Sequence, residues 1–275
     1  MNHLSSKIFF ISLSLIFPII LLFPSCKSTN SVPHTYTTTN NVINFEIDKL
    51  ANRYIIYENG DIVKYFSDEN NKYTCNFSNL GILTSIDVTN PQKILLFYID
   101  FQEIIIVDNT LSEISRIKLH SNMYITAIGM SNDGNIWLYD SISHKIILID
   151  NKNNIIDESQ PMDSPFPMHI SENKIYEREN NLYIFDNKLG IIKYSNILDF
   201  DSKYDVINVQ HPSFENDKIW YFDNTKNQIL SFNFILRESQ LIYDLNKINP
   251  NPKSAKISGN IIYYLEGNII KQIEL

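Results

Sequence analysis

Six histidines, 31 acidic residues and two cysteines are the groups from which this chain could build a chemical centre. Four aspartates recur in one context: Asp100, Asp140, Asp186 and Asp223 each close a short apolar run and open a polar turn. Four carboxylates on one face would suit a hard cation. A shared ion, however, needs its oxygens at ~2.4 Å, and residues one repeat apart stand farther from one another than that. Aspartate at such a position also accepts hydrogen bonds from its own turn, and this is the role expected here. His120, His169 and His211 follow one another at steps of 49 and 42 residues and could converge as metal ligands. Their distances to the next closing aspartate drift, being 20, 17 and 12 residues, whereas ligands repeated around a ring should keep register. They are expected to line a channel or the surface, and no metal or cofactor is assigned.

Sequence order exposes no catalytic residue. Nucleophile elbows, phosphate-cradling glycine loops, Cys-x-x-Cys pairs and His-Glu-x-x-His are absent. Trp137 and Trp220 both stand three residues before a closing aspartate, a repeat better suited to packing between units than to a cofactor. The least repetitive stretch is Gln160–Ile170, where three prolines stiffen a segment carrying two methionines and a phenylalanine. Stiff apolar loops on a rigid frame make partner contacts, so Pro165, Phe166, Pro167, Met168 and His169 are the expected partner-binding residues.

The elements that must position these groups are hairpins. Apolar, β-branched and aromatic runs come in pairs flanking turns: Tyr54–Glu58, Ile94–Asp100, Ile136–Asp140, Leu182–Asp186, Ile219–Asp223 and Ile261–Glu266 are first members, each followed by a second run. The closing residues are spaced by 42, 40, 46, 37 and 43. A period near 40 built from about four strands is that of a β-propeller blade. The fold expected is all-β: a six-bladed β-propeller of four-stranded antiparallel blades over residues 42–275. The last hairpin ends at Leu275 and leaves its blade one strand short. Val42–Ile47 or Thr35–Thr39 is expected to fill that place beside Ile269–Leu275, since an open edge would pair with other chains. With only seven glycines, asparagines such as Asn153 and Asn180 are expected to take the left-handed turn positions.

Residues 1–25 read as a secretory signal, with Lys7 before an apolar run too short and proline-broken for a bilayer span. Residues 26–41 read as a polar tether. If Cys26 is modified, Cys75 has no disulfide partner. The net charge of −8 becomes −9 once residues 1–25 are removed, which argues against nucleic acid.

Two resemblances extend this reading. Leu22-Phe23-Pro24-Ser25-Cys26 resembles a bacterial lipobox, which implies a lipid on Cys26 and membrane attachment through it. Lys27 is not the aspartate that retains some lipoproteins in an inner membrane, so the implied location is the outer membrane, facing the periplasm. The strand grammar, including the Asn132-Asp133-Gly134-Asn135 turn and the closing aspartate, resembles the NHL class of propeller repeats. A lipoprotein carrying only a propeller is also similar in format to the scaffold that assists outer-membrane protein assembly. These resemblances cover fold and anchor; the role expected is that of a monomeric, non-catalytic scaffold that displays loops to an envelope protein, peptide or glycan. The competing expectation is a lactonase- or lyase-like enzyme with a channel-bound divalent cation.

Overall fold

The computed structural model describes residues 41–67, 71–162, 168–248, 252 and 254–275. Among the described residues the strands group into meanders at residues 42–76, 85–118, 125–158, 170–204, 210–244 and 255–274, called units 1 to 6, and within each unit consecutive strands pair antiparallel. Units 1, 2 and 5 are separate four-stranded sheets, and unit 6 has three strands. Units 3 and 4 share an eight-stranded sheet because their first strands touch in parallel, with Lys174 opposite Ile128. The arrangement is that of a β-propeller.

The hairpins expected from the sequence are present within a residue or two. Ile136–Asp140 pairs with Lys145–Ile149, and Ile261–Glu266 with Ile269–Glu274. Their continuous apolar runs follow from burial on both faces, since each hairpin is sandwiched between neighbouring units. Ile94–Tyr98 and Ile136–Asp140 are buried at every position, whereas the outer strand Ile155–Glu158 is exposed throughout. Six apolar clusters fill the seams. One joins Phe97 and Ile106 of unit 2 to Ile128 and Leu138 of unit 3, and another joins Phe45 and Tyr57 of unit 1 to Tyr263 and Leu265 of unit 6. Units 1 and 6, at opposite ends of the chain, therefore share a core, and the Val42 amide adds a bond of 3.1 Å to Asn268 Oδ1.

One expectation is corrected. Val42–Ile47 is not a fourth strand for unit 6; it pairs with Arg53–Tyr57 as the first strand of unit 1. A hairpin whose two faces are both buried still has two edges, and the edge toward the axis needs an inner strand, which this segment supplies. The alternative segment, Thr35–Thr39, lies outside the described residues. Asparagine does take left-handed backbone, at Asn153, Asn180, Asn208, Asn216 and Asn227. Cys75 is a free thiol on the outer strand of unit 1, where burial and the nearby Asp61 push its pKa up to about 12.

Candidate functional site

The first strands carry charged residues where an apolar core would be expected. Glu46 lies on Val42–Ile47, Glu172 and Lys174 on Ile170–Arg178, His211 on Gln210–Glu215 and Lys256 on Ala255–Ser258. Lys174 Nζ contacts Glu46 Oε1, and Lys256 Nζ lies 2.9 Å from Glu46 Oε2. All three side chains are nearly inaccessible to water. Burying ions is costly unless each finds a partner. Here one carboxylate is shared by two ammonium groups from units far apart in sequence. Burial opposes ionisation of Glu46, yet the ammonium groups of Lys174, foremost, and Lys256 hold its carboxyl at about 2. Burial pulls the Lys256 ammonium down to about 7; Glu46 resists this and Lys174 adds to it.

His211 is the hub of a second network. Its Nε2 lies 2.7 Å from Ser254 Oγ, and its Nδ1 meets both Glu172 Oε1 and, at 2.5 Å, Lys256 Nζ. Burial, reinforced by Lys256 and opposed by Glu46, holds the imidazole well below its ordinary pKa, so it is neutral. Tyr176 Oη donates to Glu172 Oε2 at 2.8 Å. Burial, with Glu46 and Asp87 nearby, raises the Tyr176 phenol far above its usual range and keeps it a donor.

Backbone irregularities aim these side chains. Pairing slips between Ile170 and Ile175 and between Gln210 and Ser213, and the slipped stretches hold Glu172, Asn173 and His211 at φ of 57°, 53° and 52°. Non-glycine residues in this region each cost on the order of 1 kcal/mol. Bulges of this kind redirect side chains. The one at Asn173 is held from neighbouring units, through Asn173 Nδ2 to Thr126 O at 2.7 Å and Ser85 Oγ to Asn173 O at 3.3 Å.

The charged cluster separates two cavities. One, of about 320 Å³, is bordered by Ser85, Ser171, Asn187 and Ser254 at the strand starts. The other, of about 650 Å³, is bordered by Asp48, Asp87, Arg178 and Lys256 at the strand ends. Glu46, Glu172, Lys174 and His211 line both. Polar donors and acceptors thus face two half-open cavities that share one ionic wall, an arrangement able to hold a polar ligand.

The aspartates behave as turn caps. Asp140 accepts from the Tyr124 and Ile142 amides at 2.8 and 3.1 Å, and Asp186 from the His169, Lys188 and Leu189 amides at 2.5, 2.7 and 2.7 Å. Burial works against the Asp223 carboxylate, but bonds from Thr225 and Lys226 keep its pKa below the usual range. Asp100 stands apart, exposed within the short helix Ile99–Phe101. Nearby, Gln102 Oε1 accepts from the Ile125 amide of the next unit at 2.7 Å.

The three histidines do not meet. His120 Nε2 bonds Asn153 O at 2.9 Å on the exposed surface, His169 is exposed, and His211 alone reaches the axis. Among the described residues no three metal-binding side chains converge. Of the expected partner loop, Pro165, Phe166 and Pro167 lie outside the described residues. Met168 is buried in the seam between units 3 and 4, so it belongs to the core rather than to an exposed apolar surface. Sequence reasoning missed Glu46, Glu172, Lys174, Ser254 and Lys256. The available signal for Glu46, Glu172, Lys174 and Lys256 was charge on the strands that precede the hairpins of units 1, 4 and 6.

No family model matches the chain, and no curated protein matches it. Solved structures do. A streptogramin B lyase structure superposes with a TM-score of 0.61 at 13% identity, over 89% of this chain and 86% of that one. A catalytically inactive virginiamycin B lyase from Staphylococcus aureus with quinupristin gives 0.60 at 13% identity, over 88% and 87%. The chain is a β-propeller. A chain of the mitotic checkpoint complex is similar as well, with a TM-score of 0.56 at 11% identity, over 87% and 77%. At these identities the likeness concerns the fold.

Proposed function

We propose that this protein is a six-bladed propeller, tethered to the cell envelope through Cys26, that binds a polar ligand at its axis, either a small molecule or the end of a peptide or glycan. The observation that carries the binding role is the buried Glu46–Lys174–Lys256 partition with a polar cavity on each side. Such a cluster costs desolvation without adding much stability, so its presence is best accounted for by recognition. The six seam clusters, including the one between units 1 and 6, support a closed ring of six. The NHL-like turns and the lipobox-like Leu22–Cys26 support the repeat class and the envelope location, with the outer membrane facing the periplasm as the favoured site.

The binding role is tested by melting the mature protein with panels of short peptides and envelope oligosaccharides. At least one class should raise the melting temperature of the native protein and leave Lys174→Met unmoved. A panel without effect on the native protein would overturn the reading. Anchoring is tested by labelling cells with a palmitate analogue. Label and membrane association should both disappear in Cys26→Ser, and label that persists in that variant would place any lipid elsewhere.

A further inference from the structure

We propose that Ser254, His211 and Glu172 form a nucleophile, base and orienting acid that hydrolyse a small ester in the smaller axial cavity. The inference rests on the axial binding site and makes it a reaction site. Its basis is geometric. Ser254 Oγ is 2.7 Å from His211 Nε2, the opposite ring nitrogen contacts Glu172 Oε1, and Tyr176 holds the other carboxylate oxygen at 2.8 Å. Nucleophile beside base, and base oriented by an acid, is the relation that activates a serine hydroxyl. Glu172 and His211 come from units 4 and 5 and Ser254 immediately precedes unit 6, so no local sequence constraint places them together. Two of them sit on left-handed backbone in bulged strands, and all three border the same cavity of about 320 Å³.

The reaction balances without any added group. Ser254 Oγ attacks the acyl carbon while His211 Nε2 takes the hydroxyl proton. The carbonyl π pair moves to oxygen and, on its return, breaks the bond to the leaving alcohol, which departs with the proton from Nε2. Water then gives a proton to Nε2 and attacks the acyl-serine, the bond to Oγ breaks, and Nε2 returns the proton to Oγ. The products are a carboxylic acid and an alcohol. For Nε2 to act as base, Glu172 Oε1, in contact with Nδ1, must accept Nδ1–H in place of the bond that Lys256 makes there in the structure; Lys174 lies on the wall of the same cavity.

The charged and titratable groups facing His211 are Glu46 from unit 1, Glu172, Lys174 and Tyr176 from unit 4, and Lys256 from unit 6. Lys256 and Glu172 demand opposite tautomers. A lysine donating to Nδ1 leaves the proton on Nε2 and turns the lone pair away from Ser254, whereas Glu172 accepting from Nδ1–H frees Nε2 to act as base. Removing the lysine should therefore help the serine react.

The test treats the full mature chain with an ethyl fluorophosphonate bearing an alkyne, followed by intact mass and peptide mapping. One adduct per chain is expected on Ser254, none in Ser254→Ala, a rate about 100-fold lower in His211→Gln, and a faster rate in Lys256→Met. No adduct on folded native protein, an adduct on another serine, or an unchanged rate in His211→Gln would overturn the proposal. If His211→Gln does not fold, Glu172→Gln reads the same relation, with slowing expected and an unchanged rate counting against it. Ligand-induced melting shifts in the native protein separate the two readings: shifts without labelling of Ser254 leave binding standing and remove the hydrolase.

Discussion

At the scale of single residues, the axis has a pH signature. Lys256 titrates near 7 in the folded protein, whereas the usual lysine value is 10.5. Between those values the unfolded chain binds the extra proton, so stability must rise with pH. The penalty is complete below about 7 and gone above about 10.5. Melting temperature should thus climb from pH 7 toward 10, and Lys256→Met should flatten that rise; a native profile that is flat or falling across this range would contradict the burial argument. The capping aspartates act the other way, as stabilisers. Asp186→Ala leaves the buried turn without acceptors for three amides and should cost about 1–3 kcal/mol in denaturant unfolding, while Asp100→Ala, on the exposed exception, should cost under about 0.5. These caps were legible because they recur at a fixed place beside a run of apolar residues. Glu46, Lys174 and Lys256 were not, because their pairing spans 128 residues in one case and depends on contacts between units that no local period encodes.

At the scale of elements, hairpins were far easier to read than the strands around them. A hairpin buried on both faces must be apolar throughout, and that leaves an unmistakable run. The inner strands are compromised by their position: one side packs on a neighbour while the other faces the polar axis, so Ile170–Arg178 mixes Ser171, Glu172, Asn173 and Lys174 with isoleucine. This is why Val42–Ile47 looked like a spare edge strand rather than the start of unit 1. The parallel approach of units 3 and 4 makes a further demand. A Cβ at Gly129 would come within 2.0 Å of the Ile175 carbonyl oxygen, a clash that only backbone movement can relieve. Gly129→Ala should lose about 1–3 kcal/mol of unfolding free energy. Gly259, with nothing within 4 Å of its own Cβ position, offers a control. Its positive φ of 56° makes alanine mildly unfavourable there for backbone reasons alone, so the Gly129 variant should be the more damaged of the two.

At the scale of the whole molecule, the question is whether the ends of the chain are coupled. A row of units with nearest-neighbour contacts alone would fray from its termini, each repeat gaining stability only from the next. A closed ring has no terminal repeat, because unit 6 leans on unit 1 through Tyr263, Leu265, Phe45 and Tyr57. The two architectures respond differently to the same lesion. Leu265 is fully buried in that closing seam, and Leu265→Ala should cost about 2–5 kcal/mol. In a ring the loss is felt everywhere: unfolding stays a single transition, and its midpoint moves equally for Trp137 in unit 3 and Trp220 in unit 5. Comparing Trp220→Phe and Trp137→Phe backgrounds isolates each reporter. If the units instead form an open row, Leu265→Ala would detach unit 6 at low denaturant while the Trp137 signal kept its native midpoint. Coincident, equally shifted transitions are the expected result, and two separated ones would mean that the seam between units 1 and 6 does not hold the molecule shut.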